Sequence, residues 1–174
     1  MATPTIVARR SALLLIDLMP RLIERPTAPR SGPDVLRQCL GLAEAFRAAN
    51  GLVVFVRVER PGVDVQPPGS ELAPECAPEP GDLEIVKRTI GAFGATELDD
   101  ILRQHGVDTI VLGGLVTNFG VESTGRAGAD HGYDVIFVED AMAGLDEHAH
   151  QFAVEYVFPR VGWVATSEQV LTAL

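Results

Sequence analysis

Five short runs of aliphatic residues constrain this chain more than any other feature. They are Ala12–Leu18, Leu52–Val58, Thr109–Leu115, Asp134–Val138 and Val161–Ala165, with a weaker sixth at Glu84–Lys87. They are rich in Val, Ile and Leu and largely continuous rather than strictly alternating. A strand that is apolar along its length is covered on both faces, which is the mark of a parallel sheet. Between the runs the apolar period becomes helical. Asp34–Asn50 places Val35, Leu36, Cys39, Leu40, Leu42, Ala43 and Phe46 on one side and stops at Asn50-Gly51. Further helices are expected from Thr96 to His105, with Thr96 as cap and Asp99 at the capping-box position, and over Asn118–His131. Two more are expected over Asp146–Phe158, ending before Pro159, and from Ser167 onward. Alternating strands and helices with right-handed crossovers predict a three-layer α/β/α sandwich around a six-stranded, mainly parallel, doubly wound sheet. With no repeat and no linker, the 174 residues form a single domain, 1–174. One region departs from the pattern. Glu59–Gly81 carries six prolines (Pro61, Pro67, Pro68, Pro74, Pro78 and Pro80) and few periodic apolar residues. Loops of that length in compact domains often serve as lids or interface segments.

Charge removes several function classes. The formal net charge of −10 argues against a nucleic-acid or anionic-membrane partner, both of which need a basic surface. Arg9-Arg10 followed by Ala12–Ile16 faintly imitates a signal sequence, but Asp17 and Pro20 interrupt it. The run is too short for a signal core or a membrane span, so it is read as a buried strand. Cys39 and Cys76 make neither a disulfide framework nor a metal set, and they fit a reducing, cytoplasmic setting.

In a parallel sheet, ligands bind beyond the C-terminal ends of the strands. Asp17 ends the first strand, Lys87 and Arg88 end the third, Thr117, Asn118 and Gly120 follow the fourth, and Glu139 and Asp140 follow the fifth. Burial would raise the Asp17 pKa and a neighbouring Lys87 would lower it. Such a pair suits proton transfer and equally suits a structural ion pair. The glycine-bearing turn Gly113–Gly120 can offer backbone N–H groups to an anion or a developing oxyanion. Its spacing is neither that of a dinucleotide fingerprint nor that of a P-loop. His148 and His150, two apart, do not face each other on a helix and read as a solvated face rather than a metal pair. His105 and His131 fall near helix ends, where the helix dipole accounts for them.

Several ordered motifs together are specific: Leu14-Leu15-Ile16-Asp17-Leu18, Val86-Lys87-Arg88 with Ala92-Phe93, Asp108–Gly114, Val116–Thr124, Gly132-Tyr133-Asp134-Val135 and Glu139-Asp140-Ala141. From about Ser11 onward the chain resembles the isochorismatase-like (cysteine hydrolase) superfamily. That resemblance implies a six-stranded parallel sheet flanked by helices and a catalytic Asp-Lys-Cys set. Asp17 matches the aspartate, Lys87 the lysine, and Gly120 stands at the cysteine position. In the cysteine hydrolases, nicotinamidases and ureido-acid hydrolases among them, the thiolate attacks a carbonyl. True isochorismatases also have glycine there and cleave a vinyl ether with protonation and water. The Thr-Asn-x-Gly-Val-Glu-Ser-Thr run and Phe158-Pro159-Arg160 resemble a further branch that shares the glycine. Nicotinamidases hold a metal with histidines between the Asp and Lys motifs; here no histidine precedes His105, so neither metal nor cofactor is expected. The family's frequent glutamine two after the aspartate is Met19. The resemblance also implies a cis peptide at Leu115–Val116, which would bring the Val116 N–H beside that of Gly120.

The expectation is therefore a hydrolase acting on a small carboxylate, amide or vinyl-ether metabolite, by Asp17/Lys87 acid–base catalysis with water. The alternative is a catalytically inactive small-molecule-binding protein of the same fold. Val116, Thr117, Asn118, Phe119 and Phe93 are the expected substrate contacts, with the 59–81 loop adding specificity. A homo-oligomer, dimer or larger, is expected.

Overall fold

The computed structural model describes residues 5–174, so the first four residues of the expected domain lie outside the described residues. The strands are β1 (Ser11–Ile16), β2 (Leu52–Val58), β3 (Leu83–Lys87), β4 (Thr109–Leu115), β5 (Asp134–Ala143) and β6 (Trp163–Ala165). They form one sheet in the order β3-β2-β1-β4-β5-β6, with every neighbouring pair parallel. β1 and β4 are buried at every residue. Their alternate side chains enter two separate cores. Leu13, Leu15, Phe55 and Val111 pack with α1 (Pro20–Ile23), α2 (Gly32–Ala48) and α7 (Ser167–Ala173). Leu14, Ile16, Val54 and Leu112 pack on the other face with α3 (Leu98–Gln104), α4 (Glu122–Asp130), the segment Ala153–Val157 that continues α5 (Glu147–Phe152), and α6 (Phe158–Val161). Fully burying each such side chain contributes roughly 1.5–3 kcal/mol. On that second face Phe137 lies flat against Phe158, with 3.8 Å between ring centroids.

Element boundaries differ from the sequence expectation where tertiary contacts decide them. Helix α2 starts earlier than Asp34, because the Ser31 hydroxyl accepts from the Asp34 N–H and Pro33 occupies the first turn. Thr96 forms no capping box with Asp99; its hydroxyl donates to Ala92 O at 2.6 Å and accepts from the Leu98 N–H at 3.3 Å, and α3 begins at Leu98. The expected Asn118–His131 helix opens as a π turn over Thr117–Val121. The expected Asp146–Phe158 helix does not stop before Pro159. It widens into a π turn over Ala153–Val157, and Pro159 then sits in the first turn of α6, where its missing N–H does no harm. β5 runs five residues past Val138, because pairing with β4 resumes beyond a register irregularity, Gly114 against Met142 and Leu115 against Ala143.

The chain builds outward from β1 through β2 to β3, then returns to β4 and builds the other way. The C-terminal ends of β1 and β4 therefore flank the topological switch point. Gly114 keeps the two strands together there. Its φ is +115°, and a Cβ on it would lie 2.1 Å from the Ile16 carbonyl oxygen. Among the described residues no helix is long and apolar enough to cross a membrane.

Candidate active site

The polar residue that ends β1 stops the strand by its backbone. Asp17 has a φ of 51°, a left-handed conformation that aspartate tolerates better than most residues. Its N–H donates to Val56 O at 2.7 Å and its carbonyl accepts from the Met19 N–H at 2.8 Å. The side chain is thereby held at the switch point, almost wholly buried. Lys87, the last residue of β3, is 1% exposed. Its Nζ stands 2.9 Å from Asp17 Oδ2 and also donates to Ile90 O. Burial pushes the Asp17 carboxyl above the ordinary carboxylate range, against the opposing pull of the Lys87 charge and hydrogen bond and of the Arg21 charge.

Gly120 closes the arrangement from β4. A Cβ there would lie 3.1 Å from both Asp17 Oδ2 and Lys87 Nζ, and 2.9 Å from Ile16 Cγ2. Three strand ends thus bring an acid, an ammonium and a bare backbone segment to one point. The turn carrying Gly120 is fixed on two sides. Thr124 Oγ1 donates to Gly120 O at 2.6 Å and accepts from the Ala92 N–H at 3.1 Å, tying the turn to the segment that follows Lys87. Thr117 Oγ1 pairs with His150 Nδ1 at 2.8 Å, tying it to α5. The Leu115–Val116 peptide is cis, as the resemblance implies, and so is Ala28–Pro29.

Other expected site residues divide. Val116 is buried beside the turn, Asn118 is half-buried, and Phe119 is 53% exposed at its rim. Thr117 is fully buried, and its hydroxyl is engaged by His150 rather than free for substrate. Phe93 is a core residue: its ring stacks on His131 at 5.0 Å and tilts against Tyr133 at 5.8 Å. Arg88 pairs with Glu59 at the surface. Asp140 accepts from the Ser167 N–H at 2.6 Å and hydroxyl at 2.8 Å and so anchors the start of α7. His150 corrects the expectation of a solvated face. It is buried, and burial first, then the Arg30 charge, lower its pKa to about 4, which keeps the imidazole neutral at ordinary pH. Both cysteines are buried. Cys39 Sγ reaches Ala141 O at 3.4 Å, and burial raises the Cys76 thiol to about 12 and that of Cys39 further. Among the described residues no three His, Cys, Asp or Glu side chains group as metal ligands.

Sequence reasoning missed four residues around this point: Arg21, Ser70, Thr124 and His150. Only Thr124 left a signal, since a threonine four residues after Gly120 on a helix can return a bond to that carbonyl.

The isochorismatase domain family matches residues 11–169. An uncharacterised isochorismatase family protein, YwoC, of Bacillus subtilis strain 168 is 35% identical over 188 residues, covering 98% of this chain and 97% of the relative. A maleamate amidohydrolase of Pseudomonas putida is 29% identical over 187 residues, covering 95% of this chain and 87% of the relative. Among solved structures, an isochorismatase family protein from Burkholderia thailandensis superposes with a TM-score of 0.91 at 38% identity, covering 99% of both chains.

Proposed function

Because the chain belongs to the isochorismatase family, we propose that it hydrolyses a small metabolite by acid–base catalysis at Asp17, supported by Lys87, without a cysteine nucleophile. The observation that carries this is the Lys87–Asp17 pair at 2.9 Å, packed against the bare backbone of Gly120. A relative named for amide hydrolysis supports a carbonyl substrate.

At a carbonyl, the oxygen of water adds to the carbon while the Asp17 carboxylate takes the water proton. The carbonyl electron pair moves onto its oxygen, which the Val116 and Gly120 N–H groups and the Lys87 charge stabilise. Collapse breaks the bond to the leaving group, which receives the proton back from Asp17. A vinyl ether would use the same carboxyl in the opposite order. Protonated Asp17 gives its proton to the terminal carbon, water adds to the resulting cation and returns a proton to Asp17, and the hemiketal then opens to a ketone and an alcohol.

The raised Asp17 pKa separates the two cases. A base must be ionised, so kcat/KM on a carbonyl substrate rises as pH passes through the Asp17 pKa. An acid must be protonated, so turnover of a vinyl ether falls over the same interval. The direct test measures pyruvate release from isochorismate and ammonia release from maleamate by the purified protein, Asp17→Asn and Lys87→Ala. One product is expected from the wild type, with kcat/KM reduced by about 10²–10⁴ in Asp17→Asn. Undiminished turnover in that variant would remove Asp17 from the chemistry.

A further inference from the structure

Three buried side-chain polar atoms have no hydrogen-bond partner among the described residues: Asp17 Oδ1, Arg21 Nε and Ser70 Oγ. They are not scattered through the fold. Arg21 follows Asp17 by four residues, and its charge is felt at the Asp17 carboxyl. The Pro-rich loop lies directly on this strip. The Arg21 N–H meets Gly69 O at 3.4 Å, and the Ala73 N–H donates to Leu18 O at 2.9 Å. Ser70, 3% exposed, falls between these two attachments. The contact is close, since a Cβ on Gly69 would lie 3.0 Å from Arg21 N and 3.2 Å from Arg21 Cβ.

Buried polar groups in folded proteins are nearly always paired, so a cluster of three that are not requires a reason. Structural pairing accounts for other arginines here: Arg47 binds Asp82 and Glu79, and Arg57 binds Glu59 and Glu84. Among the described residues Arg21 has no ion pair or side-chain hydrogen bond, yet its Nε is buried. Arg21 Nε–H and Ser70 O–H are both donors, and one of them carries a permanent positive charge. Two such donors, on the strip that follows Asp17 and on the loop attached to it, call for an acceptor with negative charge. A guanidinium fits the planar, two-oxygen geometry of a carboxylate better than any other common anion except phosphate.

We propose that Arg21 and Ser70 form the subsite that holds a substrate carboxylate next to Asp17. The substrate half of this statement rests on the hydrolase reading, whereas the binding half does not. The Pro-rich loop thereby acquires a definite role: it brings Ser70 to the acid and closes one wall of the site.

Ligand-observed NMR titration with propanoate, propanamide and inorganic phosphate tests it without requiring turnover. Propanoate should bind the wild type at least about tenfold more tightly than propanamide, which has the same shape without the charge. Arg21→Gln should weaken propanoate about tenfold or more and Ser70→Ala severalfold. Circular dichroism confirms that each variant is folded; Ser70→Ala stands as an independent test if Arg21→Gln is not. The proposal is overturned if propanoate fails to bind the wild type, or binds folded Arg21→Gln and Ser70→Ala equally well. Phosphate binding as tight as propanoate, with the same dependence on Arg21, would replace carboxylate selection by a general oxyanion site. A protein that binds propanoate through Arg21 but turns nothing over would retain the binding half and lose the hydrolase reading. A hydrolase whose KM ignores Arg21→Gln would do the reverse.

Discussion

In the proposed reaction, Gly120 decides which chemistry the acid–lysine pair performs. It lies near the end of the turn over Thr117–Val121, facing both groups, and the atoms a Cβ would crowd are ends of side chains rather than backbone. Gly120→Cys should therefore fold, at a cost of about 1–3 kcal/mol for displacing Ile16, Asp17 and Lys87 by a few tenths of an ångström. The new thiol would stand beside the Lys87 ammonium, which favours the thiolate, whereas Cys39 and Cys76 are buried with raised pKa values. Iodoacetamide at neutral pH should then modify one cysteine in native Gly120→Cys and none in the native wild type over the same interval, as read by mass spectrometry. Labelling no faster at position 120 than at the buried thiols would disprove the placement of Gly120 against a charged pair. Legibility at this scale was uneven, for a physical reason. Asp17 and Lys87 each interrupt an apolar run at its C-terminal end, and a parallel sheet directs such ends to one crevice. Strand-end position also brings Gly120 there, but that it stands where a nucleophile would be comes from the resemblance alone. Arg21 and Ser70 belong to no motif in the sequence, and only the fold of the Pro-rich loop onto the strip after β1 makes them unusual.

The turn between β4 and α4 is tied to two other parts of the chain, to the Ala92 N–H through Thr124 of α4 and to α5 through the Thr117–His150 pair. Thr124 is the sharper test of that arrangement, because its single hydroxyl serves a donor and an acceptor at once. Thr124→Val keeps the shape but leaves the buried Ala92 N–H without an acceptor and Gly120 O without this donor. A loss of about 1–3 kcal/mol is expected, visible as a lower urea midpoint at unchanged m value. Thr124→Ser keeps the hydroxyl and should recover most of the loss. If valine and serine melt alike, the clamp contributes nothing to stability. The central strands β1 and β4 were legible in the sequence because each is buried at every residue and must be apolar throughout, whereas the edge strand β3, half-buried with Glu84 exposed, left the weaker signal. The π turns at Thr117–Val121 and Ala153–Val157 were not legible. A single wide turn shifts the helical period by one residue and leaves no composition of its own. Pro159 then gave a false stop, since the same residue that ends a regular helix is accommodated at the beginning of a new segment. His150 was misjudged for a related reason: spacing to His148 was the only signal considered, and the relevant partner, Thr117, is distant in sequence.

For the molecule as a whole, two opposed electrostatic effects should set the pH of greatest stability. The net charge of −10 repels itself in the compact state. That repulsion weakens as pH falls toward the isoelectric point near 4.8. His150 acts in the other direction. Its pKa of about 4 in the fold lies below its ordinary 6.5. Above pH 6.5 neither folded nor unfolded chain binds this proton. Between 6.5 and about 4 the unfolded chain binds it and the folded chain does not, so stability falls with acidification, by up to roughly 1.4 kcal/mol per pH unit. Asp17, with its raised pKa, keeps its proton in the fold where the unfolded chain has released it. It therefore favours the fold at low pH, and that contribution is lost as pH rises through its raised value. The wild-type Tm should rise from pH 8 to about 6.5 and then turn over, whereas His150→Gln, which still offers Thr117 a polar partner, should continue to gain toward the carboxylate range. Added salt should flatten the alkaline limb, where surface charges repel through solvent, and leave the buried His150 limb almost unchanged. Calorimetry of both proteins across this range, at low and high NaCl, separates the two effects. Parallel profiles for wild type and His150→Gln would mean that the fold does not hold this histidine neutral, and the Thr117–His150 link would lose its place in fixing the site.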